Sequence, residues 1–147
     1  MPFKFRYQAL LTYRTHLKEK AEIEFGAAMR QLHKVREILK SYENRLEEGR
    51  RSLERDLTKP MQSEEVAAYA DYISGLKKKI VSQKQELARR ERIVEEKKRE
   101  LLERTKKCRI IEKLMEKDHQ AWTQQESLAE QKRIDEVAVT RHGRSYL

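Results

Sequence analysis

An all-α fold is predicted, an antiparallel two-helix coiled-coil hairpin with the second helix longer than the first, and three features of the sequence predict it. The 147 residues include only 4 Gly and 2 Pro and are dominated by Glu, Lys, Arg, Gln, Leu and Ala, the strongest intrinsic helix formers. The sparse apolar residues recur at spacings of three and four, the seam of a left-handed coiled coil. The two periodic stretches also mirror one another about Pro60. With 40% charged residues, 7% aromatics and a mean hydropathy of -0.99, little apolar material is left for a globular core. Periodicity separates such a chain from a disordered one, which has no reason to space its apolar residues regularly.

The first helix is expected over about 4–57. Within it Ala28, Leu32, Val35, Leu39, Tyr42, Leu46, Gly49 and Leu53 alternate steps of four and three. Further upstream Leu17, Ala21 and Phe25 step by four twice, a stutter that locally relaxes a supercoil. Residues 58–62, Thr-Lys-Pro-Met-Gln, form the turn, because proline removes a backbone donor and disfavours the helical region for the residue before it. Ser63 then reads as an N-cap, followed by Glu64 and Glu65, whose charge complements the helix dipole.

The second helix is expected over about 63–139, with a frayed tail at 140–147 around Gly143. Val66, Ile73, Ile80, Leu87, Val94, Leu101, Cys108, Met115, Trp122 and Ala129 form a column at a spacing of seven. The companion column, three residues on, is apolar at Tyr69, Leu76 and Ile111 but polar at Gln83, Arg90, Lys97 and Arg104. Folding about the turn pairs Leu46 with Ile73, Tyr42 with Leu76, Leu39 with Ile80, Leu32 with Leu87, Phe25 with Val94, Leu17 with Leu101 and Leu10 with Cys108. Tyr69 is expected to face Gly49, leaving Tyr72 outside. The first helix runs out opposite about Met115, so the second projects beyond it by about 30 Å at ~1.5 Å per residue.

Several function classes are set aside. No run approaches the roughly 18 apolar residues of a membrane span, and Met1–Tyr7 lacks the apolar stretch of a signal peptide, so a cytoplasmic protein is expected. The lone Cys108 suits a reducing compartment. His16, His33, His119 and His142 are scattered, so no metal site is expected, and no phosphate loop or nucleophile elbow marks a cofactor or an enzyme. Lys77 to Arg109 holds fourteen Lys and Arg against six Glu, +8 of the chain's +9. Those Glu interleave the basic residues, unlike the nearly acid-free reading segment of a zipper-type DNA binder, so no specific nucleic acid is expected. The basic belt reads either as a solvated face or as a surface for an acidic partner.

The opening Phe3-x-Phe5-x-Tyr7-x-x-Leu10-Leu11-x-x-Arg14, the post-turn Met61-Gln62-Ser63-Glu64-Glu65-Val66-x-x-Tyr69-x-x-Tyr72-Ile73-x-x-Leu76, and the closing Glu130-Gln131-Lys132-x-x-Asp135-Glu136 resemble the FliJ family of the bacterial flagellar type III export apparatus. The resemblance implies a non-enzymatic stalk, similar to the two-helix coiled coil of rotary ATP synthases, which inserts into the hexameric ring of the export ATPase FliI. It further implies contact with the export gate protein FlhA, a role with export chaperones, and a peripheral place at the cytoplasmic face of the inner membrane. On this basis Phe3, Phe5, Tyr7, Trp122, Leu128 and Ile134 are expected at the ATPase ring, and Tyr42, Tyr72 and Leu76 at the gate. A generic coiled-coil scaffold, a rotary-ATPase subunit or the equivalent stalk of a virulence secretion system would share the heptads.

Overall fold

The computed structural model describes residues 1–145. They form a helical hairpin, α1 over Gln8–Asp56 and α2 over Ser63–Ser145, of 49 and 83 residues, with no strand among the described residues. The turn falls at Pro60 as expected. The last carbonyls of α1 are satisfied locally: Thr58 N–H donates to Arg55 O at 3.3 Å and Lys59 N–H to Asp56 O at 3.1 Å. Thr58 Oγ1 also donates to Arg55 O at 2.6 Å. At the start of α2 the Gln62 carbonyl accepts from Val66 N–H at 3.2 Å, the first bond of the helix, so Gln62 is the N-cap and Ser63 the first helical residue.

Both outer ends differ from expectation. Helix α1 begins at Gln8, not near Lys4, because residues 1–5 run outside any helix and carry Phe3 and Phe5 onto α2. A non-helical backbone advances up to about 3.3 Å per residue against ~1.5 Å in a helix. Phe3 therefore reaches His119 and Trp122, beyond the expected limit at Met115. Helix α2 continues to Ser145, past the expected end at 139. Gly143 does not stop it, since its φ is not positive and a helical glycine costs only about 1 kcal/mol against alanine. Residues 146–147 of the expected tail lie outside the described residues.

Contacts gather into two units. One comprises Lys20–Leu102, the part that includes the turn, and the other Met1–Glu19 with Glu103–Leu147. In the turn-bearing unit Ala21, Leu32, Val35, Leu39, Leu76 and Ile80 are buried. The expected register holds here, since Gln83 Nε2 donates to Val35 O at 3.3 Å, between the Leu39–Ile80 and Leu32–Leu87 levels. The polar companion column is half-buried at Gln83, Arg90 and Lys97. Lys97 Nζ donates to Glu24 Oε2 at 3.2 Å across the helices, and Arg90 Nε to Glu86 Oε1 at 2.9 Å along α2. A charged residue thus sits in the seam by extending its head group to an acid at the edge.

In the second unit Phe5, Leu11, Cys108 and Ile111 form a buried cluster with Phe3, Leu114 and Met115 packed against it. Leu11, not Leu10, joins Cys108. Stepping back from Leu32 by alternate fours and threes through Ala28, Phe25 and Ala21 lands on Leu11, and Leu10 is left exposed. Arg14 Nη1 donates to Lys107 O at 2.9 Å and Thr15 Oγ1 lies 3.6 Å from Cys108 Sγ.

Candidate interaction surfaces

The unit holding both outer ends gathers most of the residues expected at an ATPase ring. Phe3 meets His119 edge-on, with ring centroids 4.9 Å apart, and lies 5.9 Å from Trp122. Phe5 meets Tyr7 edge-on at 5.8 Å, and the Arg6 guanidinium stands 5.6 Å over the Tyr7 ring. Phe5 itself is buried, so it organises this end and offers no surface to another molecule. Beyond Trp122 every residue from 123 to 143 is exposed, including Leu128 at 70% and Ile134 at 54%. Val137 and Val139 join them. Val137 lies three residues from Ile134 and so shares its face, a spacing that could have identified it. His119 could likewise have been found three residues before Trp122.

The residues expected at the gate divide differently. Tyr72 is 50% exposed and its ring lies over Gly49, where a Cβ would meet Tyr72 Cε1 at 3.2 Å and Ile73 Cγ1 at 3.9 Å. The ring opposite Gly49 is therefore Tyr72 and not Tyr69. The Tyr69 hydroxyl instead donates to the Asp56 carboxylate in the last turn of α1. That bond, and then burial and the Asp56 charge, hold the Tyr69 phenol above its ordinary pKa. Leu76 is only 4% exposed: its place in the seam withdraws it from direct contact with a gate. Tyr42 is half-buried, with Lys79 Nζ 5.8 Å from its ring centroid. Near the turn Ala68, Tyr69 and Tyr72 line an open apolar depression beside Glu65.

The basic belt is partly neutralised. Glu86 accepts from Arg89 and Arg90, which hold its carboxyl below the usual range. The bond to Glu24, then its charge, raises the Lys97 ammonium pKa. Among the described residues no cluster of His, Cys, Asp or Glu could hold a metal, and no helix is long and apolar enough to cross a membrane.

These features define a coiled-coil hairpin protein with exposed apolar residues along its helix faces. A family model described as Flagellar FliJ protein matches residues 3–146; the chain belongs to the FliJ family. It is 22% identical over 139 residues to the Flagellar FliJ protein of Bacillus subtilis (strain 168), covering 95% of each chain. Its fold is similar to the solved structure of a protein described as a YscO homolog, CT670, from Chlamydia trachomatis, with a TM-score of 0.60, 19% identity and 96% of each chain covered.

Proposed function

We propose that this chain is a stalk and adaptor of the flagellar type III protein export apparatus, with the end beyond Trp122 inserted in the ring of the export ATPase FliI and the turn-bearing part contacting the export gate FlhA. The observation that carries the reading is the stretch 123–143, helical yet exposed throughout, in a chain that fits the FliJ family from residue 3 to residue 146. Large aliphatic side chains such as Leu128 and Ile134 on an unpartnered helix fit a surface that another protein covers. Phe3, Tyr7 and Trp122 lie at the base of that helix and form the rest of the ring-facing surface. Export chaperones would meet the same apparatus-bound chain, at the cytoplasmic face of the inner membrane.

Deleting residues 123–147 tests the ring contact, because it leaves the Phe5, Leu11, Cys108 and Ile111 cluster complete. The truncated chain should keep its hairpin helicity and lose stimulation of ATP hydrolysis by purified FliI. Unchanged stimulation would refute the assignment. For the gate, Tyr72→Ala should weaken binding to FlhA by roughly 1 to 2 kcal/mol, an ordinary hot-spot effect, with FliI stimulation intact. Unaltered gate affinity would move that contact elsewhere on the chain. The FliJ family match favours the flagellar apparatus over a virulence system, since the likeness to the YscO homolog concerns the fold alone.

A further inference from the structure

One side of α2 within the turn-bearing unit is left without a role by the seam, the turn and the proposed gate contact. Val81 and Leu102 are 58% and 52% exposed, and Ala88 is exposed between them. Val81, Ala88, Glu95 and Leu102 occupy one column at a spacing of seven, outside the two columns that pack on α1, and the Glu95 carboxylate within it is held by Arg99 Nε at 3.5 Å. They follow one line along the helix for about 31 Å at ~1.5 Å per residue. Lys77, Lys84 and Lys98, with Glu91 between the last two, border that line on one side, and Lys78, Arg92 and Arg99 border it on the other, so most of its neighbours three or four residues away are cations.

The excess positive charge of this side is unspent. From Lys77 to Leu102 there are ten Lys and Arg against five Glu around the whole helix, and the column with its borders holds six of those cations against Glu91 and Glu95. Four of the five Glu already have partners: Glu86 with Arg89 and Arg90, Glu91 with Arg36, Glu95 with Arg99 and Glu100 with Lys97. Among the described residues Lys77, Lys78, Lys84, Arg92 and Lys98 make no ion pair with a protein carboxylate within 4.0 Å. A largely aliphatic line, interrupted at the paired Glu95 and bordered mostly by uncompensated cations, is complementary to an aliphatic line bordered by anions.

We propose that this face of α2 is a second, shallower seam that receives an acidic amphipathic helix of a partner protein, laid along Val81, Ala88 and Leu102 with its carboxylates against Lys84, Arg92 and Lys98. The seven-residue spacing is what selects a helix, because only another helix presents side chains at the same repeat over this length. An anionic bilayer is the weaker occupant, because the face lacks the Trp or Phe that anchor helices at a lipid surface, whereas Glu91 and Glu95 within it are already paired with Arg36 and Arg99. The inference does not depend on the export reading.

The test uses the full chain and a fluorescein-labelled synthetic helix of about four heptads with a Leu line bordered by Glu, followed by fluorescence anisotropy. Binding is expected at low ionic strength and should weaken about tenfold at physiological salt, where exposed charges are largely screened beyond ~8 Å. Val81→Ser with Leu102→Ser, and separately Lys84→Glu with Lys98→Glu, should each weaken it at least about tenfold while circular dichroism stays unchanged. The same peptide with Lys in place of Glu should not bind. Failure of the acidic peptide to bind, or equal binding by the double-serine variant, would overturn the proposal. So would co-sedimentation with phosphatidylserine vesicles that persists in the double-serine variant, which would assign the face to lipid.

Discussion

Gly49→Ala opposes two effects of known size. Gly49 lies inside α1 with no positive φ, so alanine there should gain about 1 kcal/mol of helix preference. Against this, the new Cβ would stand 3.2 Å from Tyr72 Cε1 and 3.6 Å from Cδ1, a few tenths of an ångström too close. These two atoms belong to a half-exposed ring that can swing outward, and an adjustment of that kind costs about 0.5 kcal/mol, comparable to a modest off-rotamer shift. The net expectation is stabilisation of about 0.5 kcal/mol. Gly75→Ala supplies the reference, because nothing lies within 4 Å of a Cβ built there and the full gain of about 1 kcal/mol should appear. Urea unfolding followed at 222 nm, with equal slopes required of all variants, measures both. In a Tyr72→Ala background the two alanines should become equivalent. If Gly49→Ala destabilises by more than about 1 kcal/mol, the Tyr72 ring is held rigidly and the reasoning that leaves it free to meet a partner fails.

Leu76→Ala should cost about 2 to 3 kcal/mol, the low end of the range for buried leucines because two helices can close on the space. Thermal melting would read this as a fall of roughly 4 to 12 °C, whereas Tyr72→Ala should shift the melt little. Tyr69 and Lys97 both have raised pKa values in the fold, so their stabilisation is complete below the unfolded values near about 10 and is lost as pH climbs through the folded ones. Both groups are partly exposed, so their share of any alkaline fall above about pH 10 is small, and Tyr69→Phe should lose slightly less over that range; an identical fall in that variant would sink the Tyr69 part. Glu86 has the opposite sign: its contribution is present above about pH 4.3 and is lost as acid protonates it, so Glu86→Gln should make the acid limb of the melt slightly shallower, a small effect for a partly exposed pair. The Cys108 thiol is 1% exposed and should react with a disulfide reagent far more slowly in the native chain than in urea; comparable rates would contradict its packing.

The turn and the central seam were legible because each rests on a local rule. Pro60 ends a helix wherever it stands, and Leu39, Leu76 and Ile80 repeat at an unambiguous spacing. The outer part of α1 was harder: Leu10 and Leu11 are adjacent, and either satisfies a column until its phase is carried back from Leu32. The start of α1 did carry a readable cue, since Phe3-x-Phe5-x-Tyr7 alternates with a period of two, the pattern of an extended segment rather than a helix. Tyr69 and Tyr72 could not be told apart by spacing, because the choice depends on where α1 ends: Asp56, in its last turn, draws the Tyr69 hydroxyl toward the turn. For the candidate contacts, exposure decided what pattern could not. Leu76 and Phe5 have the chemistry of interface anchors but are used up inside the fold, whereas Tyr72, Leu128 and Ile134 remain at the surface.

The contacts of this hairpin are ordered by how far apart in the chain their members are made. The Tyr69–Asp56 bond closes a separation of only 13 residues, while Arg14 and Lys107 are 93 apart and Phe3 must await Trp122. Closing longer loops costs more chain entropy, and local pairs form sooner. Contacts close to Pro60 in sequence are therefore expected to form before those that join distant parts of the chain. On the ribosome, where synthesis proceeds at about 5 to 20 residues per second, Phe3 waits roughly 6 to 24 seconds for Trp122 to be made. By the same loop entropy the Phe3 contact with His119 and Trp122 is expected to be among the last to form and the first to open.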